Sequence, residues 1–185
     1  VREELVIGAR EVFGKYGYKK TTMDDIATIT RRGKTSIYYY FKSKEEMFQA
    51  VIDKEAENLK QNIYNEIIKH ENPENQIRAY IISRMETLKS LAGFYDVIRL
   101  ELLDHLNIIN EARKDFDKEE LELVAGILQS GLSKALFKVD DIELTAQTIV
   151  TTLKGLEIQF FVYDIDNMEQ QLNKVIDLIT SGLKI

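Results

Sequence analysis

Apolar residues recur at helical spacing from the first residues of the chain onward. The first such stripe follows the i, i+3, i+4 rule for one face of an α-helix and consists of Leu5, Ala9, Val12, Phe13 and Tyr16. Gly17 comes next, a residue type that tolerates positive φ, and the apolar Tyr18 stands behind it, as at many helix ends. The pattern predicts a first helix that ends near Tyr16.

Two short helices are predicted after it. Thr22 supplies a hydroxyl at a helix start, and Asp25 supplies a carboxylate three residues later, a shorter-armed version of the capping box. A second helix should therefore run over about residues 23–29, and a third over about residues 35–41. Ser43 is then placed to cap a fourth helix, whose first turn carries two glutamates that suit the helix dipole.

The remaining pattern is also helical. The fourth helix should continue until "HENPEN", which contains the only proline, Pro73. Further helices are predicted at about residues 74–91, 94–107, 111–137, 140–163 and 166–183, with breaks at residues 93, 107–110, 138–140 and 164–167. No alternating Val/Ile/Thr-rich run is bounded by hairpin signals. We therefore expect an all-α chain of about nine helices.

The helices suggest two domains that share a helix rather than a flexible linker. Residues 1–46 would form a helix-turn-helix domain, and residues 47–185 would form a larger ligand-binding and dimerisation domain. The long fourth helix would join them, because no Gly/Ser-rich or Pro-rich segment separates the two regions.

Charge is distributed unevenly along the chain. The net charge is -6, yet residues 15–44 carry eight basic and only two acidic side chains. Residues 55–185 carry 14 basic and 23 acidic side chains. This asymmetry favours an anion-binding end on an acidic body, although a solvated face of mixed charge is the alternative.

Several function classes are disfavoured. The chain has no cysteine, which excludes disulfides, thiolate metal sites and a cysteine nucleophile. His70 and His105 lack metal-binding spacing, and "GKTS" has Thr28 where a nucleotide-binding loop needs glycine. No segment reaches the roughly 18 apolar residues of a membrane span. We expect a soluble cytoplasmic protein that is not an enzyme and has no catalytic residue, metal, cofactor or membrane partner.

A short helix, a tight turn and a second short helix with basic flanks form the layout of a helix-turn-helix, whose second helix enters the major groove of double-stranded DNA. If Ile37 and Phe41 face inward, residues 35, 36 and 39 face outward and residues 38 and 40 lie on the flanks. Outward hydroxyls and phenols can contact base edges and phosphates. The alternative is that some of these tyrosines pack against the first or fourth helix.

The chain resembles the TetR family of bacterial transcriptional regulators. The resemblance rests on "AREVFGKYGYKKTTMDDIA" followed by "TSIYYYFKSKEEMFQAV", and it covers about residues 3–53. It implies a three-helix DNA-binding domain and a homodimer that leaves its palindromic operator when a small molecule binds. It also implies phosphate contacts from Thr22 and Lys44, and a recognition surface formed by Lys34, Thr35, Ser36, Tyr38, Tyr39 and Tyr40.

The turn departs from the family pattern. Related proteins have a sequence such as Ala-Gly-Val-Ser where this chain has "TRRG", so Arg31 occupies the left-handed position at a cost of about 1 kcal/mol. Gly33 remains a tolerable N-cap. Either the turn has another conformation, or Arg31 and Arg32 gain enough from phosphate contacts to offset the strain. The second alternative makes Arg32 a candidate DNA-binding residue.

This departure also motivates a second function of a different class. An accessory protein of the same fold would act through protein contacts or through non-specific DNA binding.

The effector site is expected between residues 85 and 109, where polar groups stand among apolar ones. The candidate ligand-binding residues are Met85, Leu88, Phe94, Tyr95, Ile98, Arg99, Leu102 and His105. The expected effector is small and largely apolar, with Arg99 as the partner for any anionic head group.

Two apolar stripes near the C-terminus predict a homodimer through about residues 142–162 and 168–183. The first stripe contains Ile149, Val150, Leu153, Leu156, Phe160 and Phe161, and the second contains Leu172, Val175, Ile176, Ile179 and Leu183. The alternative is that both stripes are buried within one subunit.

Overall fold

The computed structural model describes the backbone of residues 1–94, 106–162 and 167–184, and the side chains of residues 1–92, 114–160 and 167–184. Within these residues the regular structure is helical, apart from one isolated antiparallel bridge between Phe137 and Lys184. The all-α prediction is confirmed. The helices are α1 (Arg2–Lys20), α2 (Met23–Thr30), α3 (Lys34–Tyr40), α4 (Lys44–Ile67), α5 (Pro73–Phe94), α6 (Leu106–Ser133), α7 (Ile142–Glu157) and α8 (Met168–Leu183). A π-helical turn over Ile158–Val162 extends α7.

The sequence signals located α2, α3 and the start of α4 to within about two residues. Gly17 interrupts α1 with φ 80° and ψ 169°, a backbone conformation that favours glycine, at the point where the sequence predicted the helix to end, although helical residues continue to Lys20. The N–H of Glu46 donates to Ser43 Oγ over 3.1 Å, which confirms the predicted cap of α4.

The predicted break at residues 107–110 is wrong, because these residues lie inside α6. Asparagine disfavours a helix interior by only a fraction of a kcal/mol, and the run contains no glycine or proline. The predicted helix over 94–107 falls mainly on residues outside the described ones. At its other end α6 stops at Ser133, four residues before the predicted end, and Ala135 follows with φ 53°.

The chain forms two compact units. The first contains Val1–Glu57 and Leu91–Lys114, and the second contains Asn58–Ser90 and Asp115–Ile185. Helices α4, α5 and α6 each contribute residues to both units. The first unit includes the whole helix-turn-helix segment, and the predicted division at residue 46 also lies in α4.

The core of the first unit holds α1 to α4 together. Ile37 and Phe41 are fully buried, as predicted for the inner face of α3. They join a cluster that includes Leu5, Ala9, Val12, Phe13, Met23, Ile26, Met47, Phe48 and Val51. The rings of Phe13 and Phe48 meet edge to face with centroids 5.0 Å apart. This packing fixes the inner face of α3 against the core of the first unit.

The second unit buries part of each apolar stripe that the sequence placed near the C-terminus. From α7 and its extension, Ile149, Val150, Leu153 and Phe160 are buried, and from α8, Leu172, Ile176 and Leu183 are buried. The alternative that these stripes are used inside one subunit is therefore right for these residues. No helix among the described residues is long and apolar enough to cross a membrane.

Candidate nucleic-acid interface

The start of α2 is fixed by a reciprocal cap. The Asp25 N–H donates to Thr22 Oγ1 over 3.2 Å, and the Thr22 N–H donates to Asp25 Oδ2 over 2.9 Å. The predicted capping box is thus confirmed. The hydrogen bond from the Thr22 hydroxyl, followed by that from its backbone, holds the pKa of the Asp25 carboxyl below its ordinary value. Thr22 is exposed at this helix end, where backbone N–H groups favour a phosphate.

The turn between α2 and α3 keeps the left-handed conformation although its residue is arginine. Arg31 has φ 53° and ψ 36°. Its N–H donates to the Thr28 carbonyl over 3.3 Å, and the Arg32 N–H donates to the Ala27 carbonyl over 3.1 Å. These two bonds form a Schellman motif, which closes a helix end. Of the two sequence alternatives, a different turn conformation is ruled out, so Arg31 carries the strain of a left-handed residue with a Cβ atom.

Gly33 begins α3 without a side-chain cap. Its backbone is extended at φ -68° and ψ 144°, a conformation open to any residue, and a Cβ atom there would meet nothing within 4 Å. The N–H of Ser36 donates to the Gly33 carbonyl over 2.9 Å. Glycine is thus tolerated here rather than required.

Helix α3 presents tyrosines to solvent. Tyr39 is 83% exposed, Tyr38 is 43% exposed, and Thr35 is also exposed. Ser36 is half-buried. The exposure of Tyr39 argues against the alternative that it packs on the first or fourth helix.

Tyr40 is placed differently from Tyr39. It is partly buried against the core of the first unit, so the packing alternative is right for much of its ring. Its ring also meets Tyr39 edge to face, with centroids 5.0 Å apart. Tyr40 therefore packs against the exposed Tyr39 ring on one side and against the core on the other.

Three candidate phosphate contacts already have partners within the protein. Arg32 Nη2 lies 2.7 Å from Glu4 Oε2, and Lys34 Nζ lies 2.9 Å from an Asp24 carboxylate oxygen. The hydrogen bond with Asp24 raises the pKa of Lys34, so this ammonium remains charged. Exposed ion pairs of this kind contribute only about 0–1 kcal/mol, so phosphate groups can replace the carboxylates.

Lys44, the third, is more firmly held. Its Nζ donates to the Tyr18 carbonyl over 2.9 Å and lies 4.4 Å from the centre of the Tyr18 ring. The Tyr18 hydroxyl in turn donates to Glu45 Oε1 over 2.8 Å. Burial and this hydrogen bond raise the pKa of Tyr18 well above its ordinary value, so it stays protonated. Lys44 thus ties the end of α1 to the start of α4 in addition to its predicted phosphate contact.

Sequence reasoning missed the acidic partners of these cations. Glu4 lies 28 residues from Arg32, and Asp24 lies 10 residues from Lys34. Separations of this size carry no helical i, i+4 signal. The sequence indicated these ion pairs only by the presence of an acidic residue on α1 (Glu4) and another on α2 (Asp24), two helices expected to pack near the turn.

The candidate effector residues are only partly described. Met85 is fully buried and Leu88 is half-buried in the second unit. The remaining six, Phe94, Tyr95, Ile98, Arg99, Leu102 and His105, lie outside the residues whose side chains are described. The predicted pocket therefore stays a prediction. A cavity of about 550 Å³ lies elsewhere in this unit, and its described lining residues are Lys60, Gln61, Ile63, Tyr64, Phe116, Glu119, Glu120, Glu122 and Leu123.

The geometry of α2, the turn and α3 defines a helix-turn-helix DNA-binding protein. Comparison with known proteins agrees with this class. The sequence profile of the family described as bacterial regulatory proteins, tetR family, matches residues 5–51. The N-terminal segment thus matches the TetR family of bacterial transcriptional regulators, and the relatives that align along the chain are transcriptional regulators too. The chain is accordingly a regulator rather than an enzyme.

Similarity extends beyond the matched segment. QacR of Staphylococcus aureus, an HTH-type transcriptional regulator, is 20% identical over 189 residues, covering 99% of this chain and 98% of QacR. The crystal structure of a transcriptional regulator from Cytophaga hutchinsonii has a TM-score of 0.83 at 26% identity, covering 99% of this chain and 98% of that one. FadR from Bacillus subtilis, solved in complex with stearoyl-CoA, has a TM-score of 0.73 at 23% identity, covering 99% of this chain and 100% of FadR. At this identity FadR shows a shared fold.

Proposed function

We propose that the protein is a homodimeric transcriptional repressor that binds a palindromic operator and is released from it by a small effector. The observation that carries the proposal is α3, which exposes Tyr39, Tyr38 and Thr35 above a fully buried Ile37. One face of this short helix is anchored and the other is free to enter a major groove. Such a regulator acts where the chromosome is, in the cytoplasm.

The roles of the individual residues follow from exposure and charge. Tyr39 and Thr35, on the outer face, are proposed to contact base edges, with Ser36 beside them. Tyr38 and Tyr40 on the flanks are proposed to reach phosphates. The cations Arg32, Lys34 and Lys44, together with Thr22 at the start of α2, complete the proposed backbone contacts. These residues belong to the proposed domain of residues 1–46.

Dimerisation is proposed to use the faces of α7 and α8 that the subunit core leaves free. Leu144 is 60% exposed, and Leu178 is 62% exposed. Ile158 also remains exposed after α7, whereas Ile149, Val150, Leu153 and Phe160 are buried. Apolar side chains exposed on two adjacent elements favour burial against a second copy. The proposed interface is therefore still formed by residues 142–162 and 168–183, within the proposed domain of residues 47–185.

Effector release requires a connection between ligand and DNA. We propose that α4 provides it, because this continuous helix begins next to α3 and contributes residues to both units. The FadR structure with stearoyl-CoA supports a small-molecule site in a protein of this fold. Thermodynamic linkage then requires that effector and operator weaken each other's binding by the same factor.

The test is selection of genomic DNA fragments by the protein, followed by footprinting on the enriched fragments. One protected palindrome, with two half-sites about one helical turn apart, is the expected result. Effector titrations with and without the operator should then give different affinities, and identical affinities would contradict the coupling. A dimer of constant mass in sedimentation would support the two-fold arrangement.

A second function is favoured by the turn. Arg31 keeps a strained conformation and Arg32 is paired with Glu4, so neither arginine is pre-positioned by the structure for one DNA sequence. An accessory protein with this turn would bind DNA weakly and without sequence preference, or act through protein contacts. Uniform, salt-sensitive protection of any duplex would support this function over a specific repressor.

A further inference from the structure

Two of the proposed phosphate-binding cations are paired with carboxylates of the same unit. Glu4 of α1 pairs with Arg32 in the turn over 2.7 Å, and Asp24 of α2 pairs with Lys34 of α3 over 2.9 Å. Each pair joins two different elements around the proposed DNA surface. At each cation, a carboxylate oxygen therefore occupies a position that a phosphate oxygen would take in a DNA complex.

These two ion pairs are on the surface of the protein. Their four side chains are between 41% and 66% exposed. Ion pairs this exposed are weak, because water and salt screen them. A carboxylate that positions a cation for one particular contact is expected to be buried, or to hold the cation through two parallel hydrogen bonds. The exposure therefore favours a partner that phosphate can displace.

Both pairs are ionic at neutral pH. The hydrogen bond from Arg32 holds the pKa of the Glu4 carboxyl below its ordinary value. The hydrogen bond with Asp24 raises the pKa of Lys34 above its ordinary value. The protein thus presents these cations to DNA with a negative charge already beside each of them.

A displaced carboxylate stays close to the DNA backbone. A phosphate that replaces Glu4 at Arg32 lies within one Debye length of the Glu4 carboxylate, since that length is about 8 Å at physiological salt. The carboxylate then repels the phosphate and attracts a cation from solution. This uptake offsets part of the counterion release that drives binding to DNA.

We propose that Glu4 and Asp24 are internal competitors of the DNA backbone, which weaken binding to any duplex and make that binding less sensitive to salt. The assignment rests on the proposed phosphate contacts of Arg32 and Lys34, and it adds two acidic residues to the determinants of DNA affinity. When backbone contacts are weakened in this way, a smaller coupling free energy from an effector is enough to empty the operator.

The test compares Glu4→Gln with Glu3→Gln in the full chain. Both substitutions remove one exposed carboxylate from the first turn of α1, so the two variants have the same net charge. Glu3 is the matched control, because it pairs with Lys54 in α4, which is not among the proposed DNA contacts. Fluorescence anisotropy with a labelled duplex of random sequence measures the affinity at several salt concentrations.

The two variants should differ in both affinity and salt dependence. Glu4→Gln should bind the duplex about twofold to fivefold more tightly for each subunit. Its salt slope should steepen by a fraction of the roughly 0.9 that one phosphate contact contributes. Glu3→Gln should change the affinity by less than about twofold, since exposed charges beyond a Debye length are largely screened.

A double-mutant cycle shows whether Glu4 acts through its cation. Arg32→Ala should weaken binding to the duplex. In that background Glu4→Gln should change the affinity by less than about twofold, because the cation that Glu4 pairs with is gone. Asp24→Asn should tighten binding as Glu4→Gln does, and Lys34→Ala should remove this gain. The two cycles involve separate ion pairs, so a loss of stability in one leaves the other interpretable.

Three results would overturn the proposal. Weaker binding by Glu4→Gln and Asp24→Asn would show that the carboxylates position their cations for phosphate. An equal gain in Glu3→Gln would reduce the effect to net charge, and a gain that persists without Arg32 would place its origin elsewhere.

Footprinting of the same variants on genomic fragments separates this proposal from the proposed function. A protected palindrome without tighter binding by Glu4→Gln contradicts only the internal competition. Tighter binding by Glu4→Gln without any protected palindrome supports the internal competition and contradicts only the specific repressor.

Discussion

Tyr39 is an exposed aromatic residue on a helix whose opposite face is fully buried. Its ring is 83% exposed and contacts the ring of Tyr40. A large aromatic side chain in this position leaves apolar surface in water unless a partner covers it. Lys34, at the start of the same helix, adds a positive charge that suits phosphate. At the scale of single residues, Tyr39 is therefore the sharpest test of the DNA-binding surface.

The first prediction concerns the Tyr39 hydroxyl. Tyr39→Phe should weaken operator binding by roughly 1 kcal/mol if that hydroxyl donates a hydrogen bond to DNA. Tyr39→Ala should weaken operator binding more, and it should narrow the difference in affinity between operator and random DNA. The melting temperature of the protein should stay unchanged. Fluorescence anisotropy with both duplexes and a thermal melt measure these effects.

Lys34→Ala provides the contrast for this prediction. It should weaken binding to all duplexes nearly alike, and it should lower the salt slope by about 1 for each phosphate that Lys34 neutralises in the parent complex. If both Tyr39 variants bind operator like the parent protein, the recognition face has been placed wrongly.

The second prediction concerns the strained turn. Arg31→Gly should stabilise the protein by up to about 1 kcal/mol, because glycine adopts φ 53° without a Cβ penalty, less an entropic cost in the unfolded chain. Arg31→Ala removes the same guanidinium but keeps the strain, so it should give no such gain. Chemical denaturation of the parent protein and the two variants measures their free energies of unfolding. Equal stability of the Gly and Ala variants would show that the turn stores no strain.

At the scale of secondary-structure elements, one glycine sets the approach of α1 to α2. A Cβ atom at Gly8 would lie 2.3 Å from Thr30 Cγ2. Thr30 cannot rotate away freely, because its hydroxyl donates to the Ile26 carbonyl over 2.7 Å. The two helices therefore pack at a distance that only glycine permits. Since α2 carries the turn, this contact also positions α3.

The third prediction follows from this contact. Gly8→Ala should destabilise the protein by about 1–3 kcal/mol through overpacking, despite the better helix propensity of alanine. Gly126→Ala is the matched control, since that exposed site in α6 has nothing within 4 Å of a new Cβ atom. Gly126→Ala should stabilise the protein by about 0.5–1 kcal/mol. Denaturation curves that rank the two variants in the opposite order would contradict the close approach.

At the scale of the whole molecule, the apolar faces of α7 and α8 are divided between the subunit core and solvent. Ile149 and Ile176 are buried, whereas Leu144 and Leu178 are about three-fifths exposed. Each helix thus has an inner apolar face and further apolar side chains outside it. The outer ones are what a second subunit would cover.

The fourth prediction tests this division. Leu178→Lys should convert the proposed dimer to a monomer, because it places a charge in an apolar interface, and it should reduce operator affinity accordingly. Leu136→Lys is the control, since Leu136 is exposed but lies outside both helices. Analytical ultracentrifugation measures the mass of each variant. A Leu178→Lys protein with the mass of the parent would exclude this face from the interface.

Much of the N-terminal fold was predictable from local patterns. The capping box of Thr22 and Asp25, the break at Gly17 and the inward positions of Ile37 and Phe41 are all signals within a few residues of one another. The error at residues 107–110 had a local origin as well, since asparagine is a weak helix breaker. For the recognition surface, the sequence predicted which side of α3 is exposed but left open which of its tyrosines packs into the core, and Tyr40 is the one that does so in part.

The sequence by itself determined the helices, their caps and the buried face of α3, because these depend on helical periodicity and on neighbouring residues. Only the tertiary structure decided which charges meet. Arg32 with Glu4 and Arg84 with Glu120 are 28 and 36 residues apart, and helix packing alone brings them together. The same holds for the buried position of Glu120, since burial of a carboxylate depends on what surrounds it in space. Periodicity identifies an apolar face of a helix, but the packing of the helices determines whether that face is buried in the core or exposed to solvent.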